Sequence, residues 1–113
     1  MKAVNRISGK TLADDVSIAD NLLSRMKGLL GRSTLPSGEA LWIKPCMGVH
    51  TFGMKFSIDV VFLDREKHVV ELAKRLRPNR MSRIYSSASS VLELPAGTID
   101  ATHTVTGDTI EIV

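Results

Sequence analysis

The sequence predicts a mainly β, α+β fold: a compact β-barrel or sandwich-like domain with one main helix packed on it. Three observations carry that expectation. Alternating or β-branched apolar runs recur at 3–7, 11–16, 40–43, 58–63, 68–76 and 91–94. Helical spacing is confined to one convincing stretch, about 18–30. There is no regular strand–helix alternation, no GxGxxG and no Walker loop, which argues against nucleotide-binding doubly wound folds. A chain of 113 residues fits one domain, 1–113. It is long enough to build a core without disulfides or a structural metal.

The elements follow in order. Residues 3–7 read as a strand, Ser8, Gly9 and Lys10 as a turn, and 11–16 as its partner. Ser17 and Asp20 fit a loose capping box, and Asp20 suits the positive end of a helix dipole. Leu22, Leu23, Met26, Leu29 and Leu30 then make one apolar stripe, and Gly31 closes the helix. Leu35-Pro36-Ser37-Gly38 is a turn. After the strand at 40–43 the chain is irregular through 45–53. The run 58–63 is a largely buried strand, and 64–67 turns it into a hairpin with 68–76. A short strand at 91–94 ends at Pro95, residues 98–102 form about one helical turn, and 104–113 reads as a hairpin around Gly107-Asp108.

Composition removes several classes of function. A single cysteine excludes disulfide frameworks, zinc ribbons and clusters that need several thiolates. The amino terminus lacks the apolar stretch of a secretory signal, and no run approaches a membrane helix. The expectation is a cytoplasmic protein with no membrane partner, where a free thiol is at home. The net charge of +3 is uneven: +5 over residues 65–83 and −4 over 84–113. Lys74, Arg75, Arg77, Arg80 and Arg83 make a basic run able to contact phosphate, so an accessory role on nucleic acid is a second alternative. Pro78 and Asn79 interrupt the run, Tyr85 is the only stacking ring nearby, and a solvated strand end and loop is the favoured reading.

The densest cluster of reactive types is Pro45-Cys46-Met47-Gly48-Val49-His50-Thr51-Phe52-Gly53-Met54-Lys55. Cys46 and His50 offer two metal ligands, and Met47 or Met54 would favour a soft ion such as copper(I). Two ligands do not fill a tetrahedral site, so His68, His103, Asp59 or a second subunit would have to add to them. A second reading has His50 activate the Cys46 thiol, with Asp59 as the orienting group. The third has Cys46 as a small buried hydrophobe and His50 satisfying loop backbone, and it is the favoured one. No cofactor is expected. Asp59 interrupts an apolar strand and needs a partner; Arg25, Arg32 or backbone amides of the 48–55 loop are the candidates. Phe52, flanked by glycine, is placed to line a pocket.

Several of these stretches carry a resemblance. They are Arg25-Met26-Lys27-Gly28-Leu29-Leu30-Gly31-Arg32, Glu39-Ala40-Leu41-Trp42-Ile43, Cys46, His50-Thr51-Phe52-Gly53-Met54-Lys55-Phe56, Ile58-Asp59-Val60-Val61-Phe62-Leu63-Asp64 and Val91-Leu92-Glu93-Leu94-Pro95-Ala96-Gly97. Together they resemble the bacterial and archaeal family called domain of unknown function 192, over about residues 12–113. The resemblance implies a compact β-rich fold with a packed helix and brings no reaction, substrate or cofactor with it. The leading expectation is a non-enzymatic binding or interaction module. Its site joins Arg25, Arg32, Cys46, His50, Thr51, Phe52, Met54 and Asp59 around a small anion or a chain-terminal carboxylate. The alternative is a metal-assisted or thiol-dependent enzyme built on Cys46, His50 and Asp59.

Overall fold

The computed structural model describes residues 1–113, with the side chains of Leu22 and Met26 outside the described set. Eight strands form two sheets: β1 (Ala3–Asn5), β2 (Thr11–Ala13), β3 (Asp15–Ala19), β4 (Glu39–Ile43), β5 (Ile58–Leu63), β6 (Val69–Leu76), β7 (Ser90–Pro95) and β8 (Ile110–Ile112). The small sheet runs β2-β1-β8 and the large one β3-β4-β7-β5-β6. Two short helices complete the chain, α1 (Leu22–Lys27) and α2 (Thr98–Ala101). The arrangement is sandwich-like rather than a closed barrel.

The large sheet is covered on both faces, which is why β5 is buried at all six positions. One face carries Trp42, Val61, Leu63, Leu92 and Leu94 against Ala3, Leu12 and Ile110 of the small sheet and Ile99 of α2. The other carries Ile43, Ile58, Val60, Phe62 and Val91. No sheet covers that second face. Leu29, Leu35, Met54 and Ala88 pack there from the irregular segments.

The helix expected over 18–30 is shorter than its apolar spacing suggests. Val16 and Ile18 are β-branched, and residues 15–19 pair in parallel with β4, Asp15 opposite Glu39 and Ala19 opposite Ile43. Ser17 is therefore a strand residue, not a cap. Asn21 takes the capping role, its Oδ1 accepting the Ser24 N–H at 2.9 Å. Gly28 ends the helix at φ +49°, ψ −126°, a conformation open to glycine alone. Of the expected stripe, Leu29 is buried, Leu23 and Leu30 are exposed, and Leu22 and Met26 lie outside the described side chains.

The hairpin expected over 58–76 forms, with Lys67 in the left-handed region at its turn. The expected terminal hairpin does not. β8 pairs instead with β1, Ala3 opposite Ile112. Asp108 is buried beneath it, accepting Asn5 Nδ2 at 2.9 Å and the Val105 N–H at 3.0 Å. Two buried polar side chains with complementary bonds outweigh a local two-strand turn.

Candidate binding cleft

The uncovered face of the large sheet is where the irregular segments leave a gap. A cleft of about 160 Å³ opens between the end of α1 and the 45–54 loop. Arg25, Lys27, Leu29 and Leu30 form one wall; Cys46, Val49, His50, Phe52 and Met54 form the other. The floor includes Ile43 of β4 and Glu93 of β7.

The loop wall is held by backbone bonding. The Thr51 N–H donates to the Arg80 carbonyl at 2.8 Å, the Asn79 N–H to the Thr51 carbonyl at 2.9 Å, and the Ser82 N–H to the Val49 carbonyl at 2.9 Å. Thr51 itself is fully buried. Its Oγ1 accepts the Arg80 N–H at 2.9 Å and donates to the Arg77 carbonyl. Thr51 thus ties two loops together and does not line the cleft.

Cys46 and His50 share the wall but are not joined. The thiol is half-buried and donates to the Gly48 carbonyl at 3.0 Å. Burial pushes its pKa up; the Gly48 contact and Arg25 oppose this only in part, and Glu93 adds to it. That is the environment of a protonated, unreactive thiol. His50 Nδ1 accepts the Phe52 N–H at 3.3 Å, and the imidazole stacks on Phe52 with centroids 5.1 Å apart. Among the described residues no set of three candidate ligands includes Cys46 or His50. The set that does gather, Asp64, Glu66 and His68, lies in the β5–β6 turn, where Asp64 Oδ1 accepts the Glu66 and His68 N–H groups.

Asp59 and Arg32 stand apart from the cleft. Asp59 points to the opposite face of the sheet, with Val61 and Leu63. It has neither arginine as partner, nor the 48–55 amides. Its Oδ1 accepts the Arg75 N–H at 2.9 Å and its Oδ2 the Ile99 N–H at 2.8 Å. The reason is a β-bulge: the register shifts between Ile58 and Val60, and Arg75 turns to φ +51°. The carboxylate takes up the amide that the bulge frees and caps the first turn of α2. Arg32 is spent on an exposed pair with Glu39 at 3.2 Å.

Glu93 is the residue sequence reasoning missed. It is 4% exposed, and among the described residues no donor hydrogen-bonds its carboxyl group. Burial alone drives its pKa up to about 7. Its neighbours across the strands, Leu41 and Val60, are apolar. A carboxyl so placed is costly unless a partner or a proton arrives, and such costs gather at functional sites. A wider groove of about 500 Å³ lies elsewhere, along Trp42. Its ring is already covered by Lys44 Nζ at 4.1 Å.

Comparison with known proteins agrees with this fold. A UPF0127 protein of Thermococcus sibiricus is 34% identical over 96% of this chain and 72% of its own length. A UPF0127 protein of Pyrococcus furiosus is 33% identical over 96% and 95%. Among solved structures, a Sinorhizobium meliloti protein described as a candidate transcription regulator superposes with a TM-score of 0.81, at 21% identity over 97% of this chain and 89% of the other. A protein of unknown function from Novosphingobium aromaticivorans gives 0.78, at 19% identity over 99% and 93%. At those identities the likeness is one of fold. The family model for DUF192, "Uncharacterized ACR", matches residues 3–112. A match over nearly every residue, with relatives at a third identity along their length, establishes that this chain belongs to the uncharacterised DUF192 family.

Proposed function

We propose that the protein is a cytoplasmic, non-enzymatic binding module whose cleft takes a small ligand bearing a carboxylate. The observation that carries this is the unpartnered Glu93 carboxyl on the floor beneath Arg25 and Lys27 at the wall. With its pKa near 7, Glu93 holds a proton in a large fraction of molecules at neutral pH and can donate it in a hydrogen bond to a ligand carboxylate. Arg25 supplies the charge and Leu29, Val49 and Met54 the apolar wall. The volume is that of a benzene-sized group, so the ligand, or the part that enters, is small. Within the basic run 74–83, Lys74 Nζ is held by Asp100 Oδ1 at 2.7 Å.

A second reading draws on the same residue. A buried carboxyl with a pKa near neutrality is also what a general acid–base needs. An enzyme on this scaffold would turn on Glu93, since Cys46, His50 and Asp59 do not converge.

Titration of labelled protein with acetate, propionate and benzoate separates these readings from no function at this site. The expected result is saturable shifts of residues 25–30, 45–54 and 93. Affinity should rise as pH falls from 8 to 6, because the ligand stays ionised while Glu93 gains its proton. Absence of such shifts with every carboxylate overturns the proposal.

A further inference from the structure

A second property of the same face involves the rim of the cleft and the segments beside it. Three segments cover the outer side of the large sheet, residues 21–33, 44–57 and 77–89. They hold eight of the fifteen Lys and Arg residues and none of the twelve Asp and Glu residues. Lys27, Lys55, Arg77, Arg80 and Arg83 are exposed, and none belongs to an ion pair among the described residues. Such an excess of one sign of charge attracts an anionic counterpart.

The same segments expose large apolar side chains. Leu23 is 64% exposed, Leu30 52%, Phe52 47%, Met81 67% and Ile84 69%. Several of these flank the 45–54 loop. Leu30 Cδ1 lies against Gly53 and Ile84 Cδ1 against Gly48, on the two flanks of the 45–54 loop. An isolated bridge sets His50 beside Met81. Acidic groups border the face at its margins: Glu39 pairs with Arg32, Asp20 stands near Lys44, and Asp64 and Glu66 border Ser86 and Ser87.

From this we infer that the loop-covered face docks onto an anionic lipid surface, with Leu30, Phe52, Met81 and Ile84 entering the acyl boundary and the surrounding Lys and Arg residues lying at headgroup level. Charge complementarity selects an anionic occupant. The placement of the apolar groups selects lipid. They stand on three separate segments, at residues 30, 52 and 81–84, rather than along one element. A fluid apolar phase accepts them in that arrangement. Nucleic acid would leave them in water, and Phe52 is the one exposed ring among them for stacking. The absence of a spanning helix is no obstacle, since an interfacial protein needs none.

The test is co-sedimentation of the full chain with vesicles of phosphatidylcholine alone or mixed in equal parts with phosphatidylglycerol. Binding to the mixed vesicles only, reversed by high salt, is expected. The pair R80Q and R83Q should weaken it roughly fivefold per charge removed. The pair M81S and I84S, which leaves net charge unchanged, should weaken it by about tenfold. Both pairs alter exposed side chains outside the cleft, and unchanged circular dichroism and carboxylate titration verify the fold and the cleft. The proposal is overturned if the mixed vesicles are not bound at low salt. It is equally overturned if M81S and I84S bind them as the parent does, which would reduce the effect to charge. A salt-steep affinity for DNA or RNA that the mixed vesicles fail to compete also overturns it.

Discussion

Two carboxyl groups are buried on opposite faces of one sheet. Asp59 on β5 is 1% exposed and Glu93 on β7 is 4% exposed. Asp59 faces the small sheet, where a bulge and a helix start each offer it an amide. Glu93 faces the loops, where apolar neighbours offer it nothing and the cleft opens above it. Burial alone does not separate a structural acid from a functional one. What separates them is whether the fold itself supplies the partner.

The largest expected effect breaks the first member of the pair. Replacing Asp59 with Ala strands the buried Ile99 N–H and the part-buried Arg75 N–H and should cost roughly 3 kcal/mol in denaturant unfolding. A loss under about 1 kcal/mol would show that water replaces the carboxylate, in conflict with its closed surroundings.

The second member should respond with the opposite sign. Glu93 ionises in the unfolded chain near its ordinary 4.5 but in the folded protein only near 7. Below pH 4.5 both states are protonated and there is no penalty. Between those values the unfolded chain releases its proton first, so stability falls as pH rises. Above pH 7 the full penalty is present, about 3 kcal/mol for such a shift. Glu93→Gln should therefore unfold less readily at pH 8 by up to about 3 kcal/mol, gain little at pH 4, and, because its amide can donate in place of the carboxyl O–H, bind carboxylates with an affinity that no longer changes between about pH 6 and 8. Equal stability of Gln and Glu forms across that range would mean that Glu93 has a partner after all.

Arg25 sharpens the contrast without touching stability much. Arg25→Ala should reduce carboxylate affinity by about tenfold in the same titration, while Arg32→Ala, whose side chain pairs with Glu39 and does not line the cleft, should leave it unchanged. The smallest effect concerns the thiol. With its pKa raised above the free value, Cys46 should be alkylated at pH 8 a few-fold more slowly than a free thiol, as a timed mass measurement would read. Faster alkylation would return a reactive cysteine to this wall.

Much of this was legible in the sequence, and the gaps have physical causes. Strand content, the 58–76 hairpin and the irregular segment after β4 followed from alternation, β-branching and glycine. Asp59 stood out because an acid breaks a run of β-branched and aromatic residues. Its partners did not, because a bulge at Arg75 and a helix start at residue 98 are distant in sequence. Glu93 stayed hidden for a related reason. In Val91-Leu92-Glu93-Leu94-Pro95 the acid occupies an alternate position of a short strand, where one solvated face is the ordinary expectation. Only the order β4-β7-β5 places that strand in the middle of a sheet covered twice. The expected helix starts too early because Ser17, Ile18 and Ala19 satisfy both patterns locally, and pairing with β4 decides between them. Cys46, His50, Phe52, Met54 and Arg25 line one cleft; Thr51, Arg32 and Asp59 hold structure around or away from it.

The Thr51 hydroxyl has a consequence for motion. It binds backbone groups of Arg77 and Arg80 while the surrounding amides lace residues 47–51 to 79–85. Two irregular segments that would otherwise fray separately must then open together. Amide exchange at Thr51, Asn79, Ser82 and Tyr85 should share one opening free energy, distinct from that of the strands beneath. The wall that carries His50 and Phe52 would thus open as one cooperative unit rather than as two separate loops.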